Sequence, residues 1–356
     1  MRSLKIIIFI SLLLSIANAQ DTNTSSDENY IDTWHKLTTE QFKNVSEYID
    51  DKLFDIADFV DTEDNVTTDK VITKEDKKEK IIRKKRHADK FFLSDKYISE
   101  TDDPFLRITP EGKINSKSSN SDKAKLKIRV HIPLSKSKKR FKLFIGNLSN
   151  DNVNDVLSDD KTKSTPEIGV NYFSPDYYGI RSKYSLGVHG IYPFARARYA
   201  TDFIFDNWDT EYVQTFEYFS DDKFEEKTQA YFDTVFANLS LFRVYAERGT
   251  KEKSPGMSYN AGVVMFWQPS DKDGLTITQA IAGSTKYRYT KTGDVNTALR
   301  EYSGINDYIT TITYRQSFYR KWLFYELEPG VNFSIVDDYK PNYSLRLKID
   351  IFYGKL

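Results

Sequence analysis

Residues 343–356 read YSLRLKIDIFYGKL and alternate between two kinds of side chain. Tyr343, Leu345, Leu347, Ile349, Ile351 and Tyr353 are apolar or aromatic, and Ser344, Arg346, Lys348 and Asp350 between them are polar or charged. A strand has a side-chain period of two, so this stretch predicts a strand with one greasy and one ionic face. Placed last in a chain that begins with an export signal, it predicts the closing stave of an outer-membrane barrel.

The same alternation recurs upstream. Ala124, Leu126, Ile128, Val130, Ile132 and Leu134 share one face, with Lys125, Lys127, Arg129 and His131 on the other. Phe141, Leu143 and Ile145 continue the pattern as a hairpin partner. Ala195, Ala197, Tyr199, Phe203 and Phe205 oppose Arg196, Arg198 and Asp202, and Tyr212, Phe216 and Tyr218 oppose Thr215 and Glu217. Met257, Tyr259, Ala261, Val263, Met265 and Trp267 form another face. Leu323, Tyr325, Leu327, Val331, Phe333 and Ile335 oppose Glu326, Glu328, Asn332 and Ser334. With the less regular runs 106–112, 167–173, 184–190, 229–237, 239–247, 275–283 and 308–318, the count is about fourteen strands, or twelve if neighbours merge. Short links at Asn207–Asp209 and Tyr319–Lys321 read as periplasmic turns, and longer ones at Asn147–Thr165 and Ser284–Asn306 as external loops.

The expected fold is therefore all-β, an antiparallel transmembrane β-barrel of about 12–14 strands over residues 104–356. A soluble β-sandwich also alternates. Its outer face would be freely solvated, whereas these polar faces mix both charge signs with Gly, Ser and Asn, which suits a crowded interior of paired charges.

Residues 20–103 are different: densely charged and without period two. Trp34, Leu37, Phe42, Val45, Ile49, Leu53, Ile56 and Val60 recur at helical spacing, so an amphipathic helix is expected near 33–60, capped by Asp32 or Thr33. The following run, including Arg83, Lys84, Lys85 and Arg86, reads as a solvated linker or a second helix packing Ile81 and Ile82. Its basic groups suit a solvated face, with anionic lipid as the alternative. Residues 1–19 have the charged, apolar and small-residue order of a signal peptide, with cleavage expected after Ala19.

Composition agrees. The mature sequence has no apolar run near eighteen residues. The mean hydropathy of −0.59 is compatible with lipid contact because barrel strands average apolar and polar faces. Tyr and Phe number 24 each, as interface girdles require, and the absence of Cys removes disulfides, thiol nucleophiles and lipoprotein anchoring. Formal net charge is zero, giving no bias toward nucleic acid.

Chemistry is sparse. His35 and His87 read as surface residues, and His131 belongs to the cationic row of β-type residues from Lys125 to Arg129. Ser185 and His189 share a strand face but lie about 13 Å apart along it, beyond the reach a nucleophile and base need. The Asp/Asn-rich run 147–160 lacks the spacing of a calcium loop. No phosphate loop, zinc spacing or cofactor motif is present, so no catalytic residue, metal ligand or cofactor is assigned.

The export signal, Trp34-His35, Asp89-Lys90-Phe91-Phe92 and the final strand together resemble proteobacterial outer-membrane β-barrel proteins of an uncharacterised group with a helical, charged N-terminal region. That resemblance implies a bacterial outer-membrane location, contact with outer-membrane lipid and lipopolysaccharide, and insertion by the barrel-assembly machinery. The N-terminal helix is expected either to plug the lumen or to contact a periplasmic partner. Tyr353 is followed by Gly354, Lys355 and Leu356, departing from the terminal aromatic that machinery favours.

The function expected is a non-enzymatic narrow pore or structural envelope protein. Its lumen charges would be Lys125, Lys127, Arg129, Arg196, Arg198, Arg315, Arg346 and Lys348 against Asp202, Glu217, Glu326, Glu328 and Asp350. Glu326 and Glu328 are expected to pair with Arg315, Arg346 and Lys348 across the ladder. The alternative is an outer-membrane hydrolase of phospholipase, lipid A deacylase or protease type.

Overall fold

The computed structural model describes residues 30–60, 85, 87–88, 90–92, 104–117, 123–134, 140–146, 166–235, 240–291 and 299–354. The expected signal peptide, the run 147–160 and residues 61–84 lie outside the described residues.

Helix α1 spans Tyr30–Val60. It begins before the Asp32–Thr33 cap expected from sequence, and Asp32 lies instead in its first turn. A carboxylate there meets the positive end of the helix dipole, which favours helix over a capping turn at that point. Tyr30 packs edge-on against Trp34 at 6.0 Å, and Lys43 pairs with Glu47 one turn on.

Fourteen strands follow. They are β1 Phe105–Asn115, β2 Lys123–Pro133, β3 Phe141–Gly146, β4 Glu167–Phe173, β5 Ile180–His189, β6 Tyr192–Phe205 and β7 Trp208–Phe219. The rest are β8 Lys223–Thr234, β9 Ser240–Lys251, β10 Ser254–Trp267, β11 Asp273–Tyr289, β12 Arg300–Ser317, β13 Leu323–Ser334 and β14 Pro341–Gly354. Each pairs antiparallel with its sequence neighbours, and β1 closes on β14. A single closed sheet excludes the sandwich and leaves no free edge.

Three boundaries differ from the sequence reading. β11 and β12 extend to Tyr289 and from Arg300, so the connection expected over Ser284–Asn306 shrinks to 290–299. Polar residues such as Lys286 and Arg288 hid this extension, because beyond the apolar belt a strand no longer needs an apolar face. Trp208 and Asp209 begin β7 rather than forming a turn. Ile335 leaves the strand face and is buried in a 3-10 turn, Ile335–Asp337.

Seam and corner each depend on glycine. At Gly354, φ is +111° and an added Cβ would lie 2.3 Å from the Pro104 carbonyl oxygen. At the β4–β5 pair, Gly169 and Gly187 face one another, and a Cβ on Gly187 would lie 2.3 Å from the Ile168 carbonyl oxygen. Glycine in a strand interior marks this kind of close backbone approach at a barrel corner.

Burial is inverted relative to a soluble protein. Leu126, Leu186, Phe205, Tyr218, Tyr343 and Leu347 are exposed, while Glu167, Asp233, Arg315 and Asp350 are buried. In a closed barrel the buried face is the inner one. The chain thus turns its charges inward and its apolar residues outward.

Candidate functional site

Among the described residues, the inner face carries three main webs of ion pairs. The first joins β12, β13, β14, β1 and β2. Asp350 accepts from Arg107 Nε and Nη2, each at 2.9 Å, from Thr109 Oγ1 at 2.6 Å and from Arg315 Nη1 at 2.6 Å. Arg315 also pairs with Glu326, and its guanidinium stacks 4.3 Å from the Phe324 ring centroid. Lys348 reaches Glu326 at 3.4 Å, Arg346 reaches Glu328 at 3.5 Å and Glu111 at 4.0 Å, and Lys127 meets Glu111 at 3.1 Å. Alternation puts these residues on one face, and antiparallel registers such as Glu326↔Lys348 and Glu328↔Arg346 set them opposite one another.

The second web lies at the opposite end of the strands, where β5 turns into β6 and β7 into β8 and where β4 begins. Arg196 bridges Glu217 at 2.8 Å and Glu167 at 3.3 Å. Phe144, Phe194 and Phe219 form a buried aromatic cluster, with Phe219 against the His189 ring at 5.8 Å and Phe194 against the Arg196 guanidinium at 5.1 Å.

The third web lies at the end of the barrel where β1 begins and β14 ends. Arg181 pairs with Asp202 at 2.6 Å and Glu211 at 3.1 Å, and Arg198 lies 3.7 Å from Glu211. Arg243 binds Asp233 at 2.7 Å. Into this web comes Lys85, from outside the sheet: its Nζ is 2.8 Å from Asp209, 3.0 Å from Asp233 and 3.8 Å from Glu211. Burial alone would discharge that ammonium, but Asp233, Glu211 and Asp209 outweigh it even against Arg243, and Lys85 is held protonated above its ordinary range. The solvated face expected for this basic run is corrected at Lys85. A lysine is kept inside because three carboxylates replace its water.

Of the residues singled out from sequence, Arg315, Arg346, Lys348, Lys127, Glu326, Glu328 and Asp350 meet in the first web. Arg196 and Glu217 meet in the second, and Arg198 and Asp202 in the third. Lys125 and Arg129 share the β2 face that carries Lys127, and Lys125 remains exposed. Sequence reading missed Lys85, Arg107, Arg181, Glu111, Glu167, Asp209, Glu211, Asp233 and Arg243. A signal was available for half of the strand residues, since Glu111, Arg181, Asp209 and Glu211 each stand in phase with a charged neighbour two positions away, whereas Arg107, Glu167, Asp233 and Arg243 stand between uncharged ones. No pattern of this kind reaches Lys85.

Catalytic geometry is lacking at the Ser/His pair. The Ser185 hydroxyl donates to Asn171 Oδ1 at 2.6 Å, and His189 faces Glu167 at 3.8 Å. Each is occupied by the residue opposite it on β4. Among the described residues, no cluster of His, Asp and Glu has the arrangement of a metal site.

Comparison with known proteins assigns no family. No family model matches the chain, and no curated protein matches it. Among solved structures it is similar to OprB of Pseudomonas putida in a high-pH structure, at 10% identity and TM-score 0.43, covering 71% of this chain and 94% of that one. It is similar to a loop-deletion mutant of the outer-membrane protein OmpT of Vibrio cholerae, at 9% identity and TM-score 0.42, covering 70% and 98%. It is also similar to an anion-selective porin from Comamonas acidovorans, at 7% identity and TM-score 0.40, covering 70% and 98%. Identities and scores this low assign the chain to none of these proteins' families.

Proposed function

We propose that the chain is an integral outer-membrane β-barrel that passes small polar solutes through a narrow, charge-lined lumen. The observation that carries this reading is the inversion of burial, with ion-pair webs inside and exposed Leu, Ile, Phe and Tyr outside. No aqueous surroundings favour so large an exposed apolar area, whereas a bilayer does. Most strands run 10–18 residues, enough to cross a hydrocarbon layer that needs about 9–11 tilted strand residues. The expected export signal and the closing position of β14 support the bacterial outer membrane as the compartment. Outer-membrane lipid and lipopolysaccharide would then contact the apolar belt, and the barrel-assembly machinery would insert it.

A structural, non-conducting barrel is the second reading. It draws on the near-complete burial of Asp233, Arg315 and Asp350, which describes a lumen filled by its own side chains. Planar-bilayer recording on the reconstituted full chain separates the two. Discrete conductance whose cation-to-anion selectivity shifts toward cations with Lys125→Glu and Lys127→Glu supports the pore. Silence from folded protein under every condition rejects the pore and leaves the structural barrel.

A further inference from the structure

Residues ahead of the first strand dock inside the barrel at the end where β1 begins. Lys85, Ala88 and Phe91 are spaced by three, share one face of a helical turn, and are the buried ones among its described residues. His87, between them on the other face, stays exposed and lies 3.7 Å from Asp271 in the β10–β11 turn. Phe91 joins Phe105, Phe324 and Phe352 in an aromatic cluster, with Phe92 and Trp322 against it. Phe91 stacks edge-on to Phe324 at 6.2 Å, and Phe92 meets Phe266 at 5.3 Å.

Gly274, the second residue of β11, makes room for this. A Cβ there would come within 2.6 Å of Phe92 Cζ and 2.7 Å of Phe91 Cε1. The turn is thus anchored at two places on the wall: Lys85 among the carboxylates of β7 and β8, and the two rings among β1, β10, β11, β13 and β14. From the Lys85 seat on β7 and β8 through β10 and β11 to the seam strands β13, β14 and β1, these anchors span more than half of the closed strand order, so the turn covers the lumen mouth across that arc.

We propose that this turn is a latch that closes the terminus end of the lumen, opening when Lys85 and the Phe91–Phe92 rings leave their seats. This rests on the pore reading and adds its regulation. The chain upstream, which carries α1, then becomes the handle by which a periplasmic partner would open the barrel.

The protein's lack of cysteine allows a direct test. Ala88→Cys places one thiol at a buried position of the full chain, and reaction with a charged maleimide reports undocking independently of conduction. Labelling should be slow in that variant alone. Adding Lys85→Glu, or Gly274→Leu, should speed it roughly a hundredfold, the scale expected when a buried ionic contact loses its partner. Lys85→Arg should stay slow. Conductance should rise in the same two variants, without Ala88→Cys as well as with it, and heat-modifiable gel mobility should confirm that the barrel remains folded.

Fast labelling in the unmodified background overturns docking. Slow labelling in both disruptive variants overturns the anchoring. Fast labelling with unchanged non-zero conductance overturns the latch and leaves the pore. Fast labelling with no conductance in any variant overturns the pore reading, and gating with it.

Discussion

Asp350 is the place to ask whether the lumen charges are dry. Its carboxylate accepts four bonds, three of them from guanidinium groups on β1 and β12, and it is 1% exposed. Asp350→Asn keeps the shape and removes the charge, leaving Arg107 and Arg315 facing a neutral amide. Breaking a buried ion pair on one side costs roughly 3–5 kcal/mol. Glu326 still faces Arg315 and Lys348, so the low end, about 3 kcal/mol, is expected here. That is about two decades in the folded-to-unfolded ratio. Urea unfolding in phospholipid vesicles, followed by tryptophan fluorescence and gel mobility, measures it as a fall in midpoint at constant slope.

Two companions bound the result. Glu301→Gln cuts the exposed pair with Arg288 at 3.4 Å, and such pairs carry about 0–1 kcal/mol. Arg107→Leu with Asp350→Leu replaces both sides of the pair by apolar groups and should recover most of the loss, since matched apolar replacement is often neutral. If Asp350→Asn falls within about 0.5 kcal/mol of the native chain, like the exposed control, then water solvates this web. The reasoning from burial would be refuted, and the lumen would be open at this level.

Gly187→Val should prevent normal folding or cost upwards of about 3 kcal/mol, because its Cβ would lie 2.3 Å from the Ile168 carbonyl oxygen; gel mobility after refolding checks it. Gly354→Ala should weaken closure of β14 on β1, strained both by a φ of +111° and by the Pro104 carbonyl at 2.3 Å, and should lower the urea midpoint without altering the slope. Asp338, outside the strands, should titrate below the usual carboxylate range because Lys291 hydrogen-bonds its charged form. A depressed folded-state value contributes stability above the ordinary range that is lost as pH falls through the lowered value. Lys291→Ala should move the titration up toward the ordinary range by carboxyl NMR, with Lys340 and Arg300 still holding it down in part.

Alternation made the barrel legible because every strand obeys one constraint, apolar toward lipid and polar inward. Leu345 and Leu347 could be assigned from their neighbours alone, as could the opposite placement of Arg346 and Lys348. Inward-facing aromatics were invisible for the same reason. Phe105, Phe194, Phe324 and Phe352 stand in the polar phase, where the pattern gives no reason to expect a ring. They are there because the lumen is not uniformly wet: at its ends rings stack on rings and on guanidinium groups. Lys85 was unreadable in a stronger sense. In sequence it sits in a basic run that any solvated linker would share, and only closure of the sheet brings Asp209, Glu211 and Asp233 together to receive it.

Charge balance sharpens what Lys85 does. Among the described residues, the ion pairs of the web around it join the carboxylates Asp202, Asp209, Glu211 and Asp233 to the cations Arg181, Arg198, Arg243 and Lys85, four of each sign. Without Lys85 the remaining groups carry one excess negative charge in a place where Asp233 and Glu211 are almost fully buried. Such a charge demands water, so undocking and hydration of that end of the lumen must go together. Asp209 accepts a hydrogen bond from Lys85 at 2.8 Å, and the other acids each have an arginine. Removing both charges therefore leaves a balanced web of six. Lys85→Met should undock the latch, while Lys85→Met with Asp209→Asn should restore slow labelling at Ala88→Cys and low conductance, the rings at Gly274 still being in place. If the double variant labels as fast as the single one, charge balance does not hold the latch, and the seat recognises the ammonium itself.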